Sequence, residues 1–137
     1  MSKVLIISSS LRYGSNSEIL AREFEKGAKA KGHNVVFVSL KGKNIKYCVG
    51  CLTCQKTKKC ILDDDMKSLL PLMNEADAIC FASPIYYYEM SGILKTVLDR
   101  SNPLYDGDYR FKDIYLIATC ADSDSSCLER FIHSIEG

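Results

Sequence analysis

Residues 4 to 18 read VLIISSSLRYGSNSE. Val4–Ser8 is a short, almost unbroken apolar run rich in β-branched residues, the pattern of a strand covered on both faces. It passes directly into hydroxyls, an arginine, a glycine and an asparagine, and then into a helical pattern that begins near Ser17. A buried strand that feeds a polar turn at a helix start is the opening of a parallel α/β unit.

The same alternation recurs along the chain. Val35–Leu40 (VVFVSL), Ala78–Ala82 (AICFA) and Ile114–Thr119 (IYLIAT) repeat the strand pattern. Helical spacing follows each strand, first over Ser17–Lys31, where Leu20, Phe24, Gly27 and Ala28 predict the buried stripe. Over Asp64–Glu75 the stripe is Met66, Leu69, Leu70 and Met73, with Asp63–Asp65 matched to the positive end of a helix. Pro71 should kink or shorten that helix. Gly92–Ser101 offers Ile93, Leu94, Val97 and Leu98, and Ser125–Glu136 offers Leu128, Phe131, Ile132 and Ile135. This order predicts an open parallel sheet in a three-layer α/β/α arrangement, one domain over residues 1–137. Such sheets bind ligands at the carboxyl ends of their strands, here just after Ser8, Ala82 and Thr119.

Bulk properties narrow the function. With 47% hydrophobic and 26% charged residues the chain has the composition of a globular protein. A net charge of +1 gives no footprint for nucleic acid. No apolar run approaches the roughly 20 residues that span a bilayer. The first apolar segment turns at once into a polar loop, so it reads as a strand and not a signal peptide. A cytoplasmic, reducing location is the resulting expectation, in which clustered cysteines suggest a metal or redox site more than a disulfide framework.

The loop from Ser8 to Glu18 has the makings of an anion cradle: helix-start N–H groups, Ser and Asn side chains, and Arg12. Neither G-x-G-x-x-G nor G-x-x-x-x-G-K-[ST] is present, which argues against a dinucleotide or a triphosphate and for a monophosphate. The second loop, SPIYYYEMSGILKTVLDR (83–100), sets a proline and three tyrosines before a helix, flat faces suited to a planar ring or to an interface.

SSLRYGSNS resembles the G-S-P-R-x-G-G-N-T phosphate loop of the NADPH-dependent FMN reductase family, whose fold is flavodoxin-like. SPIYYYEMSGILKTVLDR is similar to that family's S-P-V-Y-x-x-x-x-S-G-x-L-K-x-x-x-D-R segment. CVGCLTCQKTKKC (48–60), followed by DDDM, resembles its iron–sulfur flavoprotein branch. The resemblance implies that Ser10, Arg12, Ser15, Asn16 and Ser17 hold an FMN phosphate. It implies that Pro84, Ile85, Tyr86 and Tyr87 flank the isoalloxazine, and that Thr119, Cys120 and Ala121 form the loop at its other edge. Ser9 and Leu11 stand where the family prefers Gly and Pro, and Ser15 replaces a glycine. The family continues into a fifth strand and helix beyond the position of Gly137. A sheet without that strand is therefore expected, its IYLIAT edge left for a partner or for further chain.

Cys48, Cys51, Cys54 and Cys60 follow C-x2-C-x2-C-x5-C, a spacing that lets three thiolates wrap one face of a cubane. A [4Fe–4S] cluster is the leading metal expectation, because zinc sites more often pair two distant C-x2–4-C halves. Plain packing of these thiols is the alternative. Lys56, Lys58 and Lys59 would favour thiolates or an anionic cluster, or form a solvated face. Cys80 reads as core, Cys127 as half-buried and Cys120 as a loop residue. His33 and His133 have no partner pattern for a triad or metal site.

Three functions follow. The first is an FMN-dependent oxidoreductase that takes hydride from NAD(P)H, with no side-chain acid or base required. The second is an iron–sulfur electron carrier working with a ferredoxin-like protein. The third is a non-catalytic module with a zinc-stabilised loop. The tyrosines and the open edge suggest a homodimer or homotetramer.

Overall fold

We describe a computed structural model of the chain over residues 1–136. Strands β1 (Lys3–Ser8), β2 (Asn34–Ser39), β3 (Ala78–Tyr86) and β5 (Asp113–Thr119) are parallel in the order β2-β1-β3-β5. The order reverses between β1 and β3, which is the topological switch point of a flavodoxin-like sheet. A two-residue strand, β4 (Glu89–Met90), folds antiparallel onto the end of β3. No fifth parallel strand is present among the described residues.

Helices α1 (Asn16–Ala30), α3 (Met66–Glu75), α4 (Gly92–Arg100) and α5 (Glu129–Glu136) cover the sheet, and a short helix, α2 (Thr53–Thr57), lies within the cysteine loop. Alternation along the central strands divides the core in two. Val4, Ile6, Cys80 and Ala82 face α1, where Ala21 and Phe24 pack. Leu5, Ile7, Ile79 and Phe81 face Met66, Leu69, Met73, Leu94, Val97 and Phe131 on the other side. Among the described residues no helix is long and apolar enough to cross a membrane.

Three expectations are corrected. The inward stripe of α1 is buried Ser17 and Ala21 with half-buried Phe24 and Ala28, while Leu20 is 48% exposed and Gly27 faces solvent. The Ser15 cap sets the helix one residue out of phase with its largest side chains, and the small ones lie close against the sheet. Strand β3 continues through Ser83–Tyr86, which were expected in a loop. Its ladder to β1 stops at Ala82, so the missing N–H of Pro84 costs that ladder nothing, and Pro84 pairs in register with Thr119 of β5. The last helix is entered by a 3-10 turn, Ser125–Leu128, before α5 begins. Pro71 lies inside α3 without ending it.

Candidate functional site at the carboxyl edge of the sheet

Register places the three sequence-marked loops on one edge. Ser8 stands opposite both Ser39 and Ala82, and Pro84 stands opposite Thr119. The chain after β1, the end of β3 and the chain after β5 therefore leave the sheet side by side.

In the first loop Gly14 takes φ +62°, the left-handed turn that brings the chain into α1. Ser15 caps that helix, its Oγ accepting from the Glu18 N–H at 3.3 Å. Ser10, Ser15 and Ser17 are buried, whereas Arg12 and Asn16 are exposed. Ser8 Oγ and Ser17 Oγ are buried and have no hydrogen-bond partner among the described residues. Buried hydroxyls almost always have partners, so Ser8 at the end of β1 and Ser17 in the first turn of α1 leave two donors open. Lys41, just past β2, adds a cation beside the same turn. Its Nζ lies 2.9 Å from Glu18 Oε2 and 4.2 Å above the Tyr13 ring. Sequence reading missed Lys41, for it lies in no motif.

A chain of hydroxyls ties the first loop to the second. Ser91 Oγ donates to Ser9 Oγ at 2.8 Å, and Ser9 Oγ donates to the Ala82 carbonyl at 3.0 Å. The Ser91 N–H donates to Ser83 Oγ at 2.9 Å, and Ser83 Oγ donates to the Pro84 carbonyl at 2.8 Å. Ser9, Ser83 and Ser91 are all buried. Ser9, which departs from the family pattern, is therefore a structural link and not a defect.

Pro84 and Ile85 are half-buried, and Tyr86 is 58% exposed. Tyr87 and Tyr88 form the two-residue turn between β3 and β4, with φ +50° and +66° and their rings in an edge-to-face pair. Asn and Gly are the usual residues of such turns, and two tyrosines there are strained. The turn holds flat, solvent-facing rings beside the cradle. In the third loop Thr119 and Cys120 are half-buried and Ala121 is exposed. Cys120 is bonded to Cys127, which is buried and not half-buried as expected.

The cysteine loop follows β2 and reaches Asn102, just past α4. Its short helix α2 is flanked by Gly50, Leu52 and Lys58 in the left-handed region. Cys48 and Cys51 are exposed, and Cys54 and Cys60 are half-buried. No group of three or more metal-ligating side chains is gathered among the described residues, so the four thiols do not form a ready cluster site. Hydrogen bonds from the Thr53 hydroxyl, and then from its backbone N–H, hold the Cys51 thiol below its ordinary range. Cys54 Sγ accepts from Asn102 Nδ2 at 3.1 Å.

Behind this loop lies a buried ion pair that sequence reading did not find. Arg100 Nη1 and Nη2 meet Asp64 Oδ2 and Oδ1 at 2.6 and 3.0 Å, and Nη1 also donates to the Lys46 carbonyl at 2.7 Å. Both side chains are all but inaccessible. Burial pushes the Asp64 carboxyl up, but the Arg100 guanidinium and the Lys46 and Met66 N–H groups outweigh it and bring it down to about 2. Asp64 therefore serves the start of α3, as expected of the acidic run, and also anchors the cysteine loop to α4. Cys80 is core as predicted, its thiol pushed up to about 12 by burial.

The chain is 39% identical over 105 residues to an iron–sulfur flavoprotein of Methanocaldococcus jannaschii, a match covering 77% of this chain and 54% of that one. An iron–sulfur flavoprotein of Methanosarcina thermophila is 31% identical over 111 residues, with 81% and 58% covered. The chain thus spans about half the length of these relatives. Among solved structures, an NAD(P)H:quinone oxidoreductase from Methanothermobacter marburgensis superposes with a TM-score of 0.76 at 16% identity, covering 93% of this chain and 68% of that one. An azoreductase from Bacillus anthracis gives 0.73 at 17% identity, covering 99% and 79%. These two establish likeness of fold. The sequence pattern described as NADPH-dependent FMN reductase matches residues 2–129, and the chain belongs to that family.

Proposed function

We propose that the chain is the flavin-binding part of an oxidoreductase, with FMN held at the carboxyl edge of the sheet and NAD(P)H as the electron donor. The observation that carries this is the orphaned, buried Ser17 Oγ at the start of α1, beside Ser10, Ser15 and the exposed Arg12 and Asn16. That set fits a phosphomonoester: hydroxyls and helix N–H groups donate, and the arginine neutralises. Pro84, Ile85, Tyr86 and Tyr87 on one side and Thr119, Cys120 and Ala121 on the other would border the ring. When bound, FMN supplies the hydride and electron chemistry. The chain's own contribution is to bind the phosphate, orient the ring between two loops joined by the Ser91–Ser9 bond, and shield it with the tyrosine turn.

Titration of the full chain with FMN and with riboflavin, followed by flavin fluorescence, tests the cradle. FMN should bind at least about tenfold more tightly, since the phosphate contacts are worth more than about 1.4 kcal/mol. Equal affinity for both, or for neither, would remove the reading. Bleaching of the bound flavin by NADPH or NADH then tests the donor.

A second reading concerns Cys48, Cys51, Cys54 and Cys60, and the names of the relatives favour it. Here the loop binds an iron–sulfur cluster and the protein exchanges electrons with a ferredoxin-like partner. The thiols are the right donors, but their spread requires the loop to close around the metal. Iron and acid-labile sulfide in anaerobically purified protein support it. Zinc alone, with no bound flavin, supports a zinc-stabilised module.

A further inference from the structure

The Cys120–Cys127 bond stands apart from the other sulfur chemistry of the chain. Cys48, Cys51, Cys54, Cys60 and Cys80 are free, whereas these two sulfurs are bonded across a sequence separation of 7. The partners differ in access. Cys120 is half-buried at the end of β5, while Cys127 is 4% exposed within the 3-10 turn. Asp124 caps that turn, its carboxylate accepting from the Ser126 N–H at 3.0 Å. The Asp122 carbonyl lies 3.5 Å from Cys120 Sγ, an acceptor ready for that thiol when the bond opens. With one reachable sulfur and one shielded sulfur closing a short loop, thiol–disulfide exchange has a single point of entry, Cys120.

We propose that Cys120 and Cys127 are a thiol–disulfide exchange site for a small-molecule disulfide, and that the bond locks the loop between them. In the oxidising direction the Cys120 thiolate attacks one sulfur of the small disulfide, forming a mixed disulfide and releasing one thiolate. Cys127, its proton lost to solvent, attacks Cys120 Sγ and displaces the second thiolate. Two protein thiols are oxidised and one small disulfide is reduced to two thiols, so no further oxidant is needed. The reverse steps reopen the bond. Asp122 and Asp124, both exposed, favour a cationic reagent over an anionic one. Any consequence for flavin binding rests on the function proposed above, because this is the third of the three loops.

The tryptic peptide Asp113–Arg130 contains Cys120 and Cys127 and no other cysteine, which makes the state of the pair readable by mass. The full chain is equilibrated with cystamine and cysteamine in varying ratio, quenched with acid and alkylated. The peptide should pass from two alkyl groups to none as the ratio becomes oxidising. Cys127→Ser should trap a mixed disulfide on Cys120, and Cys120→Ser should trap none on Cys127. Two alkyl groups at every ratio, a bond that cysteamine does not reopen, or an adduct on Cys127 would each overturn the site. Amide exchange of residues 120–127 should slow by about tenfold in the oxidised state, and equal exchange overturns the lock. Loss of FMN binding in both states would sink the flavin reading and leave these two results fully readable.

Discussion

Ser91 Oγ donates to Ser9 Oγ across 2.8 Å, and this one bond joins the turn after β1 to the residue that opens α4. Both hydroxyls are buried, and Ser9 passes the connection on to the Ala82 carbonyl. Two of the three loops at the carboxyl edge are thus set relative to each other before any ligand arrives. Ser91→Ala should cost about 1 kcal/mol in urea unfolding, and Ser9→Ala somewhat more because Ser91 then loses its acceptor. The double variant should cost less than the sum, since both partners are gone. Strict additivity would mean that the two loops are positioned independently.

The Tyr87–Tyr88 turn makes a prediction of opposite signs. Two non-glycine residues at positive φ cost on the order of 1 kcal/mol each. Tyr87→Asn combined with Tyr88→Gly supplies the residue types that such a turn favours. The double variant should raise thermal stability while weakening FMN binding. A variant that gains stability and binds FMN as before would show the tyrosines to be dispensable to the flavin.

The parallel fold is legible because Val4–Ser8 and Ala78–Ala82 are almost unbroken apolar runs, and central strands buried on both faces have that pattern. The first loop is legible as a capped turn into α1, from Gly14 and Ser15. The β3–β4 turn is not, because Tyr-Tyr carries none of the Asn-Gly signal of a tight turn and the pairing of β3 with β4 imposes it. Asp64–Arg100 is hidden for a different reason: the residues lie far apart in sequence, and each has a plausible local role at a helix end. The phase of α1 escapes periodicity because the capping residue and close packing of small side chains outweigh the larger Leu20. Likewise, no spacing rule pairs Cys120 with Cys127.

Asp64 should leave its mark on acid stability. In the folded chain its carboxyl titrates at about 2, against an ordinary 3.8. The depressed value means that its stabilising contribution is complete above about pH 4 and is lost as pH falls toward 2. The amount is roughly 2 kcal/mol, and the side chain is fully buried, so solvent screening does not reduce it much. Asp64→Asn should destabilise the chain by about 3–5 kcal/mol at neutral pH, because the Arg100 charge stays buried without its partner. It should also flatten the stability profile between about pH 4 and 2, as followed by chemical denaturation at each pH. An unchanged acid limb would assign acid unfolding to other carboxylates.

Ser17 gives the sharpest separation between a packing hydroxyl and a ligand-binding one. Its Oγ is buried at the start of α1 with no partner among the described residues, so without ligand it carries a desolvation cost. Ser17→Ala relieves that cost and suits the helix, and the ligand-free chain should become more stable by about 1 kcal/mol. If the hydroxyl donates to the FMN phosphate, the same change should weaken FMN affinity by about tenfold and leave riboflavin affinity unmoved. Calorimetric melting of the apo chain and paired flavin titrations read both effects. A gain in stability with unchanged FMN affinity would place the phosphate away from the start of α1, and with it the whole orientation of the ring.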